Sequence, residues 1–254
     1  MTQPHAPPAL EVADFHKAYG PTVAVAGLSF ALPPGEVLGL VGPNGAGKTT
    51  TMRALAGIIP PTRGTLRVCG FDVAADPVRA KGRLAYVPDD PRLFESLTVW
   101  EHLRFVAAAY RVAAFEAEGE RLLARFELAP KRDALAGELS RGMRQKVAIC
   151  CAYLHRPAAM MFDEPLTGLD PMGIRTIKET IRARAAEGVG FIISSHLLSL
   201  VEDLCTRLLI LNQGRAVFHG GLDEARAAFA DGLADASLEE VFFRATAPAA
   251  EPGP

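Results

Sequence analysis

The sequence predicts an α/β chain: a mostly parallel sheet with helical crossovers, preceded by an antiparallel β pair and interrupted by a helical insertion. Three observations carry this. Short apolar runs at Val37–Val41, Ala158–Phe162, Val189–Ser194 and Arg207–Leu211 alternate with helix-like stretches at Lys48–Gly57 and Gly173–Glu187. Strand-like stretches at Leu10–Phe15 and Val23–Phe30 flank the turn residues Tyr19-Gly20-Pro21. From Val99 to about Leu154 the apolar residues Trp100, Leu103, Phe105, Val106 and Tyr110, then Leu122, Leu123, Phe126 and Leu128, recur at helical spacing.

In chain order, residues 1–9 are expected to form a disordered tail because Met1–Pro8 is Pro-rich and lacks an apolar core. The folded domain is expected over 10–230, with the helical insertion at about 90–157. Within it, Thr65–Val68 adds a short strand, and Leu84–Val87 is a buried strand stopped by Pro88. A C-terminal helix is expected over 231–246 and a second disordered tail over 247–254.

The 254 residues are 49% hydrophobic, enough for a substantial core. A net charge of −2 gives no global basic field, and no nucleic-acid partner is expected. Cys69, Cys150, Cys151 and Cys205 show no C-x-x-C spacing and read as reduced thiols of a cytosolic protein, acting as small core residues. No leader pattern is visible, and no apolar run reaches the roughly 18 residues that a spanning helix needs. If the chain acts at a membrane, another polypeptide must supply the spans.

Gly42-Pro43-Asn44-Gly45-Ala46-Gly47-Lys48-Thr49-Thr50 fits the phosphate-loop pattern G-x-x-x-x-G-K-[ST] between an apolar strand and a helix. Glycines let successive N–H groups turn inward toward phosphate oxygens. Lys48 then reaches the β/γ-phosphates, and the Thr49 hydroxyl faces Mg²⁺. A nucleoside triphosphate is the ligand this pattern implies.

Met160-Met161-Phe162-Asp163-Glu164-Pro165 is an apolar strand ending in two carboxylates, where an α/β sheet places its ligand chemistry. Alone, such a pair also suits a solvated turn. Following a phosphate loop, Asp163 reads as the Mg²⁺ holder, through water, and Glu164 as general base for the attacking water. Leu139-Ser140-Arg141-Gly142-Met143-Arg144-Gln145-Lys146 lies upstream of Asp163 at the start of a helix. Its Ser140 and the N–H groups around Gly142 offer hydrogen bonds and a positive helix end to a phosphate; Ser140 could also be a plain helix N-cap.

The pattern Leu-Ser-x-Gly-x-x-Gln-[KR] before such a carboxylate strand resembles the signature of ATP-binding cassette (ABC) ATPases. The resemblance extends from about Leu10 to Gly221, and it implies the ABC ATPase fold with ATP and Mg²⁺ as ligands. Tyr19 stands where such proteins stack an aromatic on adenine, though a turn tyrosine also suits the surface. Leu166-Thr167-Gly168-Leu169-Asp170 resembles the D-loop, with Asp170 placed to contact the opposite protomer, and His196 matches the switch histidine near the γ-phosphate.

Two departures stand out. Asp89 replaces the Gln usual after the Leu84–Val87 strand; it can still ligate Mg²⁺ or its water, but it adds negative charge beside a triphosphate. Arg141 and Met143 replace the usual Gly and Gln, and Arg141 could face either the phosphates or a membrane partner.

The Asp89–Leu103 segment, the signature and Leu238–Arg244 resemble the type 2 exporter ATPases of ABC-2 permeases. That resemblance implies a head-to-tail homodimer on the cytoplasmic side of the cell membrane, peripheral to a separately encoded permease. Leu93, Phe94, Leu97 and Trp100 would dock a permease helix, or else pack the helical insertion. The competing class is a soluble ABC ATPase of ribosomes or DNA repair, which usually has two cassettes or a long coiled-coil insertion, and neither is visible here. A GTP-binding switch fits less well, because the guanine-reading N-K-x-D is absent.

Overall fold

A computed structural model describes residues 6–229 and 237–247 of the chain. It opens with a β-hairpin, β1 (Leu10–Tyr19) and β2 (Thr22–Leu32), which β4 (Arg63–Val68) and β5 (Phe71–Asp72) extend into an antiparallel sheet of order β2-β1-β4-β5. Both hairpin strands run longer than their apolar stretches suggested. Ordered pairing begins before Leu10: Ala9 is buried, its N–H donates to Leu32 O and its carbonyl accepts from Cys69 N, so the tail expected over 1–9 stops short of it. Residues 1–5, 230–236 and 248–254 lie outside the described residues, and with them most of both expected tails and the first part of the expected C-terminal helix.

The second sheet has the order β10-β9-β3-β8-β7-β6. Its strands are β3 (Val37–Val41), β6 (Leu84–Val87), β7 (Ala159–Asp163), β8 (Gly190–Ser194), β9 (Arg207–Asn212) and β10 (Arg215–Gly221). All neighbours pair parallel except β9 with β10, a hairpin not expected from the sequence. Helix α1 (Lys48–Leu55) follows β3, and Gly57 in the left-handed region closes it as its position suggested. Helix α2 (Pro77–Lys81) is a short addition before β6.

Between β6 and β7, which are hydrogen-bonded neighbours, the chain leaves the sheet as α3 (Val99–Tyr110), α4 (Glu116–Arg125), two 3₁₀ turns and α5 (Arg141–Leu154). This is the expected helical insertion, and α5 serves as its return crossover. Thr98 and Glu101 form a reciprocal capping box that starts α3. Helices α6 (Pro171–Ala186), α7 (Leu198–Leu204), α8 (Leu222–Phe229) and α9 (Leu238–Thr246) complete the order, with α9 beginning at the Ser237 cap.

Alternation along the parallel strands divides the core. Val37, Val41, Met160, Phe162, Phe191 and Ile193 face the helical layer, whereas Leu38, Leu40, Met161 and Ile192 face α1 and the antiparallel sheet. Burial on both faces explains why β3, β7, β8 and β9 read as continuous apolar runs. Phe162, fully buried, lies with ring centroids 6.3 Å from Tyr153 and 6.0 Å from Phe191.

Truncation at this aromatic centre is expected to be costly. Phe162→Ala should lower unfolding free energy by about 3–5 kcal/mol, whereas Val78→Ala, at a side chain 82% exposed, should stay within about 0.5 kcal/mol. Chemical denaturation of the two variants checks the contrast.

Candidate active site

The carboxyl ends of β3, β6, β7 and β8 open onto one edge of the parallel sheet, and the loops leaving them build the site. After Val41 the chain turns through Gly42–Gly47 into α1. Gly47 has φ 103, and a Cβ there would stand 2.8 Å from Ala24 O; at Gly42 it would stand 2.3 Å from Leu211 O. A side chain fits at neither position, so the loop can run close against its neighbours' backbone.

Lys48 Nζ donates to the carbonyls of Gly42 (2.6 Å) and Pro43 (3.1 Å), arching back over the loop. Burial pulls its pKa down, while the charges of Glu164 and Asp163 oppose that shift. Asn44, Gly45, Ala46 and Thr50 join Lys48 and Thr49 along a cleft of about 470 Å³ whose other walls include Thr22–Ala24, Asp89, Asp163, Glu164 and His196.

Thr49 Oγ1 donates to Asp163 Oδ2 at 3.0 Å, tying the start of α1 to the end of β7. Asp163 is 5% exposed, and the Tyr86 hydroxyl donates to the same oxygen at 3.4 Å. A hydroxyl and a carboxylate converging in this way are hard oxygen donors, a set that suits Mg²⁺.

Glu164 adopts the left-handed conformation, φ 50, which a non-glycine residue holds only when its surroundings fix it. They do so here: its N–H donates to Ser194 O, Ser195 Oγ donates to its Oε2 at 3.3 Å, and His196 Nδ1 lies 2.6 Å from its Oε1. Burial raises the Glu164 pKa, His196 opposes that, and Asp163 adds to it. A carboxylate poised in this way beside a cleft suits general-base work.

The signature residues lie elsewhere. Ser140 caps α5 by accepting from Met143 N–H at 3.3 Å, the N-cap geometry open to it from the sequence. Gly142 packs against the loop after β7 so closely that a Cβ would stand 2.3 Å from Gly168 O. Arg141 Nη2 donates to Asp89 Oδ1 at 2.8 Å. Ser140, Arg141 and Gly142 do not line the cleft that holds Lys48 in the same chain.

Nor does Tyr19, which is 49% exposed at the hairpin tip with Lys17 Nζ 4.9 Å from its ring centroid. Asp170, expected to reach a second protomer, ends the loop at the start of α6, and its Oδ1 accepts from Lys146 Nζ of its own chain at 2.9 Å. That bond lowers the Asp170 pKa.

The structure adds Tyr86, Ser195 and Lys146 to the residues singled out from sequence. Tyr86 and Ser195 adjoin motif positions on strands already identified, but their aim at Asp163 and Glu164 depends on strand pairing. Among the expected docking residues, Leu93 and Trp100 pack against the core, with Trp100 5.3 Å from the Phe115 ring and under the Arg132 guanidinium. Phe94 is 55% exposed and lines a groove of about 300 Å³ between α3 and α5.

The ABC transporter family profile matches residues 25–167. The chain is 35% identical over 239 residues to the ABC-type transporter ATP-binding protein EcsA of Bacillus subtilis (strain 168), covering 93% of this chain and 96% of that one. It is 37% identical over 214 residues to the Nod factor export ATP-binding protein I of Paraburkholderia xenovorans (strain LB400), covering 84% and 70%. A solved ATP-binding subunit of an ABC transporter superposes with a TM-score of 0.88 at 38% identity, covering 93% of this chain and 99% of that one. With the phosphate loop, the carboxylate strand and the signature helix arranged as described, the chain belongs to the ABC transporter family, as one of its ATP-binding subunits.

Proposed function

We propose that the chain hydrolyses ATP as one of two identical subunits and thereby drives export through a separately encoded, ABC-2-type membrane permease. The observation that carries this reading is the division of the site. Lys48, Thr49, Asp163, Glu164 and His196 converge at one cleft, while Ser140 and Gly142 stand apart with a helix N-terminus to offer. Two copies set head to tail bring the second group of one onto the first group of the other.

ATP then lies between them, its phosphates received by the N–H groups of the 42–47 loop and by Lys48 of one copy, and by Ser140, Arg141 and Gly142 of the other. Thr49 and, through water, Asp163 would hold Mg²⁺, which supplies charge neutralisation along the triphosphate. Lys48 must leave the Gly42 and Pro43 carbonyls to reach phosphate. Glu164 takes the proton from the attacking water, while His196 holds one of its oxygens and faces the γ-phosphate.

Closing a pair of subunits from 1:99 to 99:1 takes about 5.5 kcal/mol of differential binding, a scale that two bridging triphosphates can supply. Loss of the γ-phosphate removes the bridge, and the pair reopens. Among the described residues no helix is long and apolar enough to cross a membrane, which fits a peripheral position on the cytoplasmic side. The groove beside Phe94 would take a cytoplasmic helix of the permease. The names of the relatives, one of them a Nod factor export protein, support export as the direction.

Glu164→Gln should still bind ATP, accumulate as a closed dimer on size exclusion, and lose about 10²–10⁴-fold in turnover; unchanged hydrolysis would remove Glu164 from its role. Lys48→Ala should lose affinity for a fluorescent ATP analogue in titration, and retained affinity would contradict the phosphate assignment. Because Glu164 must be ionised to act and burial raises its pKa, the rate should fall with decreasing pH at values above the 4.5 of an ordinary glutamate. A pH profile of turnover checks this, and an acid limb at or below that value would show a different base.

A further inference from the structure

The two places where the sequence departs from the ABC pattern are joined to each other. Asp89 follows β6 and lines the nucleotide cleft with Lys48, Asp163 and Glu164. Arg141 is the first residue of α5, and its Nη2 meets Asp89 Oδ1 at 2.8 Å and Asp89 O at 3.5 Å. Both side chains are about half exposed, so the pair is accessible to a ligand and responsive to local charge. Neutral Gln and Gly, the usual residues here, could not form it.

We infer that Asp89 and Arg141 are a positioning pair that holds the first turn of the signature helix to the nucleotide cleft of its own chain, and that Mg·ATP loosens it. The inference rests on the proposed reading of the cleft as an ATP site. A triphosphate entering beside Lys48 brings negative charge next to Asp89, and the triphosphate held by the second copy competes with Asp89 for the Arg141 guanidinium, which binds phosphate and carboxylate in the same planar fork. The exchange frees the start of α5 when nucleotide arrives. Arg141 thereby changes from a contact within one chain to a donor for phosphate.

An exposed ion pair of this kind contributes up to about 1 kcal/mol, equivalent to roughly a fivefold change in a local opening equilibrium. The test is amide hydrogen exchange on the full chain, followed over residues 139–145, for wild type, Asp89→Asn, Arg141→Gln, the double variant and Arg141→Lys.

Without nucleotide, each neutralising variant should speed exchange about two- to fivefold, the double variant no further than either single one, and Arg141→Lys should restore most of the protection. Additive effects in the double variant, or no effect in the singles, would overturn the pair. Mg·ATP should speed exchange in the same turn of wild type and leave Asp89→Asn unchanged. If a fluorescent ATP analogue binds and that turn does not respond in wild type, the nucleotide sensitivity fails. If the analogue does not bind, the ATP reading itself fails and takes the nucleotide sensitivity with it, while the nucleotide-free comparison still decides whether the pair holds the helix.

Discussion

Parallel pairing of β3 with β8 and of β8 with β7 forces the chain to leave all three strands at the same edge, and the rest of the site follows from that. Leu40 is paired with Ser194, and Asp163 is paired with the same Ser194 from the other side. The next residues of each strand, Val41 and the phosphate loop, Glu164, and Ser195 with His196, therefore emerge side by side. A slip of one residue in β7 would turn Asp163 to the opposite face of the sheet and separate it from Thr49. The two packed faces resist such a slip, because it would also exchange Phe162 with Met161 between the helical layer and the antiparallel sheet. Core packing and the geometry of the candidate site thus depend on the same register.

Electrostatics at this edge are balanced by proximity. One partly buried lysine faces two partly or wholly buried carboxylates: burial lowers the pKa of Lys48 and raises that of Glu164, and the attraction between these two opposes both shifts. The unusual backbone at Glu164 adds a local cost of about 1–3 kcal/mol, offset by three fixed contacts to its N–H and carboxylate oxygens. Lys48 is occupied with the carbonyls of its own loop, bonds that would be exchanged for phosphate under the proposed function.

Much of this was legible in the sequence where a residue type has few alternatives. Gly47 and Gly42 admit no side chain at their positions, and a strand ending in Asp163-Glu164 has few reasons to exist in a buried sheet. The helical insertion was visible because Leu122, Leu123 and Phe126 recur at helical spacing and are buried. What escaped was set by distance along the chain. The Lys146–Asp170 bond and the Asp89–Arg141 pair join segments whose proximity exists only after α5 packs on the loops following β7 and β6. Helix α7 and strand β10 were also missed: the first is seven residues long, and the second has a mostly exposed face with little apolar pattern to read. Sequence comparison marked Asp89 and Arg141 as departures, and the structure shows that they complement each other.

The tryptophan at position 100, the only one in the chain, packs against Phe115 with the Arg132 guanidinium 4.0 Å over its ring, entirely within the helical insertion. The sheet that holds the phosphate loop contains no indole. Intrinsic fluorescence of the unlabelled protein is therefore a site-specific optical signal: emission excited at the indole band comes from the insertion alone, and any change on adding ligand at the cleft is read some way from where the ligand sits. The native sequence thus carries its own reporter of communication between the two halves of the molecule.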